Sequence, residues 1–432
     1  MIPLLACLLA ASPLVSDEDA AELRRLAWLR TGEVRIFTSR APLPRANRAD
    51  LAGTFPIVES VGHDGRLARA WFEGAHDRAK LRFFADGTRI ADVAERVGEG
   101  FAEGRPPLLP FWSFAPDRAS GAYVTYPPIS YRRGLSVTMS TLPDAYEIEL
   151  VEREETDHMQ LPGDDRTSTF DLPALAVEAG TTGVLGKYEG SGGTLLDLAL
   201  IPDALVDEDL ALVRVRIFVD GEKEPGISAS MRGLFARPHK SVTYTTRALS
   251  VSDTEMHLRL PVPFDRSIRL EIENGGPRAV KLHGTGSLCG YPPGPRSVRL
   301  RVRERSGEVS SRQPFAVDDG IGMGHVVGLV AEIGAEPASF QTGSLEIEAD
   351  GDPVYRSVSL ASAFDGARTF GKQVHTTIDA GVTRVGDDGV CAFVLRTSRA
   401  IPFERSFHQR LAVASATPVK VSTVAFAYVA PR

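Results

Sequence analysis

Cysteine is scarce in this chain: Cys7, Cys289 and Cys391 are the only three in 432 residues. That excludes a small scaffold stapled by disulfides, and no Cys spacing matches a zinc site. If an N-terminal leader is removed, two cysteines remain, and the sequence leaves Cys289 and Cys391 either paired or free. The nine histidines are scattered, with no HxxxH or HxH pair. No metal and no other cofactor is expected. A basic surplus is also missing: the formal charge is −7, so the electrostatic footprint of a nucleic-acid binder is absent. No run approaches the ~18 apolar residues of a membrane span. The Gly-rich stretch "GTTGVLGKYEGSGG" (180–193) lacks the Gly-Lys-Ser/Thr of a phosphate loop and reads as a loop or linker.

Turn-formers, by contrast, are plentiful: 40 Gly and 29 Pro. Between them lie short alternating segments, including "LARAWFEG" (67–74), "KLRFFADG" (80–87), "LSVTMS" (135–140), "MHLRLPV" (256–262), "SIRLEIEN" (267–274) and "CAFVLRT" (391–397). Many short strands with turn signals at close intervals predict an all-β protein of sandwiches or barrels. One helix is predicted, over 17–31. Ser16 is its cap, acids fill its first turn, Ala20, Leu23, Leu26 and Ala27 form an apolar stripe, and Gly32 is its stop. Residues 1–16, "MIPLLACLLAASPLVS", resemble the apolar core of a secretory signal, and "LLAC" resembles the box before a lipidated Cys7. The expected location is secreted or cell-surface, or cytoplasmic if the segment is no leader.

A pattern recurs three times. "LRFFADGTR" (81–89), "VRIFVDGEK" (215–223) and "LEIEADGDP" (345–353) each run an alternating strand into Asp-Gly. A second mark follows each: "PPISYRRGLSVTM" (127–139), "LPVPFDRSIRLEI" (260–272) and "AIPFERSFHQRLA" (400–412). An aromatic (Tyr131, Phe264, Phe403) is followed two residues later by Arg (Arg133, Arg266, Arg405). Two matched marks in fixed order predict three copies of one β unit, over 32–165, 166–292 and 293–432, with "PPGPRS" (292–297) at the last boundary. Asp86, Asp220 and Asp350 then read as turn residues, because an Asp-Gly hairpin turn needs positive φ. The aromatics are expected to anchor strand starts in the core, and the arginines to point outward or pair with an acid. "EREETDH" (152–158) reads as a solvated acidic loop, and Trp71 and Trp112 as core residues.

These same segments resemble glycoside hydrolase family 172, whose members are tandem β jelly-rolls that cleave α-D-fructofuranosides or D-arabinofuranosides. The resemblance spans most of 20–415. "LPVPFDRSIRLEIENGG" is similar to the family's "MPMPF.KSARIELEN", "GMGHVVGLV" (322–330) to "GKGHYVG", and "IPFERSFHQRLA" to its last "IPF.KSLR" strand. The resemblance implies tandem jelly-roll β-sandwiches, a homo-oligomer that is a trimer or multiple of trimers, and a glycan partner. The catalytic motifs are lost. Where the family has "GTGTEDYF" this chain has "VSLASAFDG" (358–366), with Ala361 at the place of the catalytic Glu. Where it has "WGEGDE" the chain has "SFQTGSLE" (339–346). Of the family's "SSYDRTGGN.D" only Asn47 and Asp50 match. Glycoside hydrolysis needs two carboxyl groups flanking the bond. The remaining catalytic candidates are Asp365 and Asp379, and the substrate-binding candidates are Asn47, Asp50 and His325. The expectation is a catalytically degenerate, glycan-binding or assembly-forming protein. The alternatives are an active exo-furanosidase with a rearranged carboxylate pair, and a lectin-like protein that stacks sugar on Trp112.

Overall fold

The computed structural model describes residues 17–30, 32–40, 54–89, 96–103, 108–109, 112–127, 129–153, 167–204, 206–290, 294, 296–367, 369–370, 372–386 and 389–431. They form three jelly-roll sandwiches in tandem. In the first unit one sheet runs Glu33–Thr38, Ala145–Glu152, Gly65–Glu73, Ala122–Thr125, Ser113–Phe114, and it faces Phe55–Val61, Gly134–Met139, Leu81–Ala85, Thr88–Arg89. The second unit repeats the order with Thr167–Val177, Val280–Cys289, Gly193–Pro202, Met256–Leu258 against Thr182–Glu189, Ser267–Asn274, Val213–Val219, Ile227–Ser230. The third does so with Arg299–Val309, Val419–Val429, Gly324–Ile333, Gly389–Leu395 against Phe315–Ile321, Ser406–Ala412, Ser344–Ala349, Asp352–Arg356. In every unit the opening strand lies beside the closing one, a topology that leaves the open ends of the sandwich to be covered by a neighbour.

The recurrent Asp-Gly is the corner of each sandwich. Asp86, Asp220 and Asp350 have φ of +54°, +54° and +57°. Each carboxylate accepts backbone N–H groups from the segment after the recurrent aromatic. The closest of these, all at 2.6 Å, come from Arg133, Arg266 and Arg405. Each of those arginines also donates Nη2 to the main-chain oxygen of its Asp, at 3.3, 3.4 and 2.9 Å. Its own carbonyl accepts from Gly62, Gly190 or Gly322 of a third hairpin. The Asp and Arg therefore serve the fold together, tying three chain segments at one point. The aromatics Tyr131, Phe264 and Phe403 are buried opposite Gly65, Gly193 and Gly324. A Cβ on Gly324 would lie 2.8 Å from the Phe403 ring and 2.0 Å from the Tyr428 carbonyl, so only glycine fits beneath the aromatic.

The units meet in one recurring way. The opening strand of the third unit pairs in parallel with Ile227–Ser230 of the second, Ile227 opposite Val302. Leu300 and Val302 thereby enter the second unit's core. The opening strand of the first unit touches the equivalent strands of the third, Asp352–Arg356 and Ile401–Phe403. Val34 and Ile36 enter the third unit's core. The third unit therefore sits between the other two.

Several expectations need correction. The N-terminal helix spans Asp17–Arg25 and stops well short of Gly32, because Trp28 bridges to Ser297 and Leu29 N–H bonds the Arg296 carbonyl. Its stripe is buried as expected at Leu23, Leu26 and Ala27. The Gly-rich stretch 180–193 is no linker: Thr182–Glu189 is a strand paired with Ser267–Asn274. Glu152, expected in a solvated loop, is buried and accepts from Tyr131 at 2.8 Å and Arg35 at 3.0 Å. Cys289 and Cys391 are both buried and free.

Candidate functional site

Asp365 and Asp379 both fall in one ionic hub where the three units meet. Asp365 follows the short helix Leu360–Ala363 and holds φ +61°. Its Oδ1 accepts Arg69 Nε at 2.7 Å, and its Oδ2 accepts Thr377 Oγ1 at 2.5 Å and the Tyr126 hydroxyl. Arg69 comes from the first unit's central strand. Its Nη1 also reaches Glu147 at 2.7 Å and Glu149 at 3.1 Å, and its Nη2 donates to the Ser362 carbonyl at 2.6 Å. Asp379 accepts Thr397 Oγ1 at 2.7 Å, Arg247 at 3.2 Å and Arg399 at 3.1 Å. Arg396 and Arg399 close the circuit on Glu149. Four arginines (Arg69, Arg247, Arg396, Arg399) thus face four carboxylates (Glu147, Glu149, Asp365, Asp379), and all eight residues are buried.

Burial shapes the electrostatics. For Glu149, desolvation works to raise the pKa, but Arg396, Arg399 and Arg69 outweigh it and hold the group at about 2. For Asp379, desolvation dominates and pushes the carboxyl above its ordinary range despite Arg247 and Arg399. His375 is buried beside the hub, and desolvation lowers its pKa. Ser120 Oγ lies 2.7 Å from its Nδ1, and its Nε2 donates to the Phe364 carbonyl at 3.0 Å.

A glycosidic acid must meet the leaving oxygen, and a nucleophile must meet the anomeric carbon. Asp365 is 0% exposed and Asp379 1%. Their oxygens already accept cations and hydroxyls, so the pair is structural in this arrangement. The position that aligns with the Glu of the resembled family is equally closed. Ala361 is 0% exposed and belongs to an apolar cluster with Phe340, Phe364 and Phe370, whose Phe340 and Phe370 rings stack at 5.0 Å. Gln341, in the other motif region, donates to the Ala367 carbonyl at 2.6 Å.

The remaining candidates scatter. His325 is fully buried, its ring stacked 5.0 Å from Tyr428, and desolvation drives its pKa well down; it is a core residue and not a substrate contact. Asn47 and Asp50 lie outside the described residues. Trp71 is buried, with its indole N–H on the Gly366 carbonyl at 3.1 Å. Trp112 is only half-buried, and the Arg247 guanidinium lies 5.5 Å from its ring centre. The hub arginines are absent from the sequence-derived candidates. One signal points to two of the four, Arg396 and Arg399: the apolar strand "CAFVL" runs directly into "RTSR" (396–399), two arginines where a buried strand ends. No group of three or more His, Cys, Asp or Glu among the described residues is arranged to hold a metal. No described helix is long and apolar enough to cross a membrane.

No protein family and no curated protein matches the chain. Among solved structures it is similar to the STIV MCP (16% identity, TM-score 0.39, 61% of this chain and 97% of that one). It is also similar to the major capsid protein P2 of bacteriophage PM2 (8% identity, TM-score 0.36, 62% of this chain and 98% of that one). A more distant likeness is to infectious bursal disease virus, Gx strain, at 9% identity and TM-score 0.19, over 94% of this chain and 82% of that one. These scores are low, and the tandem jelly-roll architecture rests on the sheet topology itself.

Proposed function

We propose that this chain is a non-hydrolytic relative of glycoside hydrolase family 172 that works as a rigid jelly-roll platform, associating with copies of itself and not cleaving sugar. One observation carries the reading. Every carboxylate that the family comparison leaves as a catalytic candidate is sealed in the inter-unit hub, and the aligned catalytic position is Ala361 in an apolar plug. Removing a general acid or base alone costs on the order of 10²–10⁴ in rate. Here both candidates, Asp365 and Asp379, are buried.

The test is sugar release from fructans, D-arabinan and aryl α-furanosides, with the mass of the particle measured by light scattering. The reading expects a folded oligomer and no product above a heat-killed control. Product release that the folded protein alone supports would overturn the non-hydrolytic half, and a strictly monomeric particle the associating half.

A further inference from the structure

The three sandwich corners lie at one end of the molecule. Arg299 opens the first strand of the third unit, and its Nη2 donates to Asp220, the corner of the second unit, at 2.9 Å. Within its own unit Arg299 lies opposite Val429, and Val429 opposite Gly324 beside the third corner. The second and third corners are therefore neighbours. The first unit points the same way. At its corner Glu152 lies between Glu33 and Gly65, and further from the corner Glu147 lies opposite Thr38. That deeper Glu147 accepts the Tyr355 hydroxyl at 3.1 Å and the Val358 N–H at 3.0 Å. Tyr355 and Val358 in turn lie on the segment that leads away from the Asp350 corner.

The hairpins beside these corners carry bare apolar side chains. Val61 is 81% exposed, Ile321 74% and Met323 46%. Val61 and Ile321 hold matching places, opposite Gly134 and Ser406, the residues that follow Arg133 and Arg405. In the second unit the matching residue is Glu189, and Tyr188 next to it is 37% exposed. Seven large apolar side chains are exposed among the described residues, and these four stand at the corner end. Arg133, Arg266 and Arg405 are exposed beside the tips, as are Asp265 and Glu404. The end carries charges of both signs, so its apolar tips are its distinguishing feature.

A second observation falls on the same end. The N-terminal helix packs there: Glu22 pairs with Arg66, next to Gly65 of the first corner, at 3.1 Å, and Trp28 bridges to Ser297, just before Arg299. Asp17 is one and a half turns before Glu22, about 7.5 Å along a helix. The residues that precede it are the apolar run "MIPLLACLLAASPLVS". The apolar run therefore joins the fold at the end where the apolar tips project.

A specific protein partner buries a contiguous patch with a dense centre. Here the apolar side chains stand singly, on separate hairpins, with charged residues between them. Such spacing suits a fluid surface, where each tip finds its own depth. We propose that the corner end rests on a lipid bilayer. Val61, Tyr188, Ile321 and Met323 enter the interfacial layer, and Arg133, Arg266 and Arg405 lie at the level of the headgroups. No segment crosses the bilayer in this arrangement.

The test is flotation of the full chain with vesicles of phosphatidylcholine, with and without phosphatidylglycerol. The proposal expects the protein to float with the vesicles, and a Val61→Asp, Ile321→Asp double variant to bind about tenfold or more weakly. Both positions are exposed, so the variant should melt with the parent. Orientation is read with an environment-sensitive dye on Ile321→Cys and, at the far end, on Leu212→Cys, both in a Cys7→Ser background. Vesicles should shift the emission at 321 to the blue and leave that at 212 unchanged. The proposal is overturned if the full chain floats with neither vesicle. It is equally overturned if the aspartates leave binding unchanged, since the N-terminal run alone would then hold the protein. Equal shifts at 321 and 212 would deny the orientation. A shift at 321 without vesicles, as the protein self-associates, would make this end a contact between copies instead.

Discussion

Arg69 of the first unit places its Nε 2.7 Å from Oδ1 of Asp365 in the third, with both side chains out of water. The pair links residues far apart in the chain, and each partner is bound to further members of the hub. Breaking a buried pair by removing one partner leaves an uncompensated charge and is strongly destabilising. Arg69→Met is expected to cost about 3–5 kcal/mol in urea denaturation, because it takes the cation from Glu147 and Asp365 and leaves Glu149 to Arg396 and Arg399 alone. A change below about 1 kcal/mol would place this pair with ordinary surface ion pairs.

Acid should release the same hub. Glu149 is held at about 2, below the ordinary 4.5, and so is Glu22 of the N-terminal helix, outside the hub, which pairs with Arg25, Arg30 and Arg66; burial raises each, and the arginines around each outweigh it. Such depressed carboxylates contribute stability that is fully present above the unfolded value and is lost as pH falls from about 4.5 towards 2. Asp379 acts with the opposite sign, since its raised pKa makes the folded state hold its proton longer. The expected thermal-melting profile is flat near neutrality and drops below about pH 4.5. The drop should be shallower in Glu149→Gln than in the parent.

The corner aspartates should behave as three versions of one turn. Asp350→Ala removes the acceptor of the N–H groups of Glu404, Arg405 and Ser406 and puts Ala at φ +57°. It is expected to lower stability by about 1–3 kcal/mol. Asp350→Asn, which tolerates the left-handed conformation and keeps an acceptor oxygen, should lose clearly less. Equal losses in the two variants would contradict the turn assignment.

Placing an acid at position 361 should not create an enzyme. Ala361→Glu would push a carboxylate among Phe340, Phe364 and Phe370. Burial of an unpaired charge there is expected to destabilise by about 3 kcal/mol or more, with no sugar released in a chromatographic assay. Furanoside cleavage by this variant would show that the site is closed by one side chain alone.

The repeats and the corner turns could be read from the sequence because they depend on local rules: strand alternation, Asp-Gly with positive φ, and an aromatic at fixed spacing from Arg. The strand Thr182–Glu189 was hidden because its glycines imitate a linker, whereas pairing with Ser267–Asn274 is a long-range fact. The helix was overextended for a similar reason, since Trp28 is taken by Ser297 of another unit. At the candidate site, the sequence shows Ala361 where the resembled family has its Glu, and the structure places that alanine in an apolar cluster. The hub was not legible, because Arg69, Glu147 and Glu149 sit on strands that, read alone, would present such residues to solvent. Only the packing of the first unit's sheet over the third turns that face inward.

The central claim is that Asp365 serves the fold through Arg69. A double-mutant cycle between Arg69→Met and Asp365→Leu, read by urea denaturation, tests it directly. The account predicts a coupling of about 2 kcal/mol or more, with the double variant recovering part of what the single variants lose. Coupling near zero, with the single losses simply adding, would contradict it and return Asp365 to the list of groups awaiting another role.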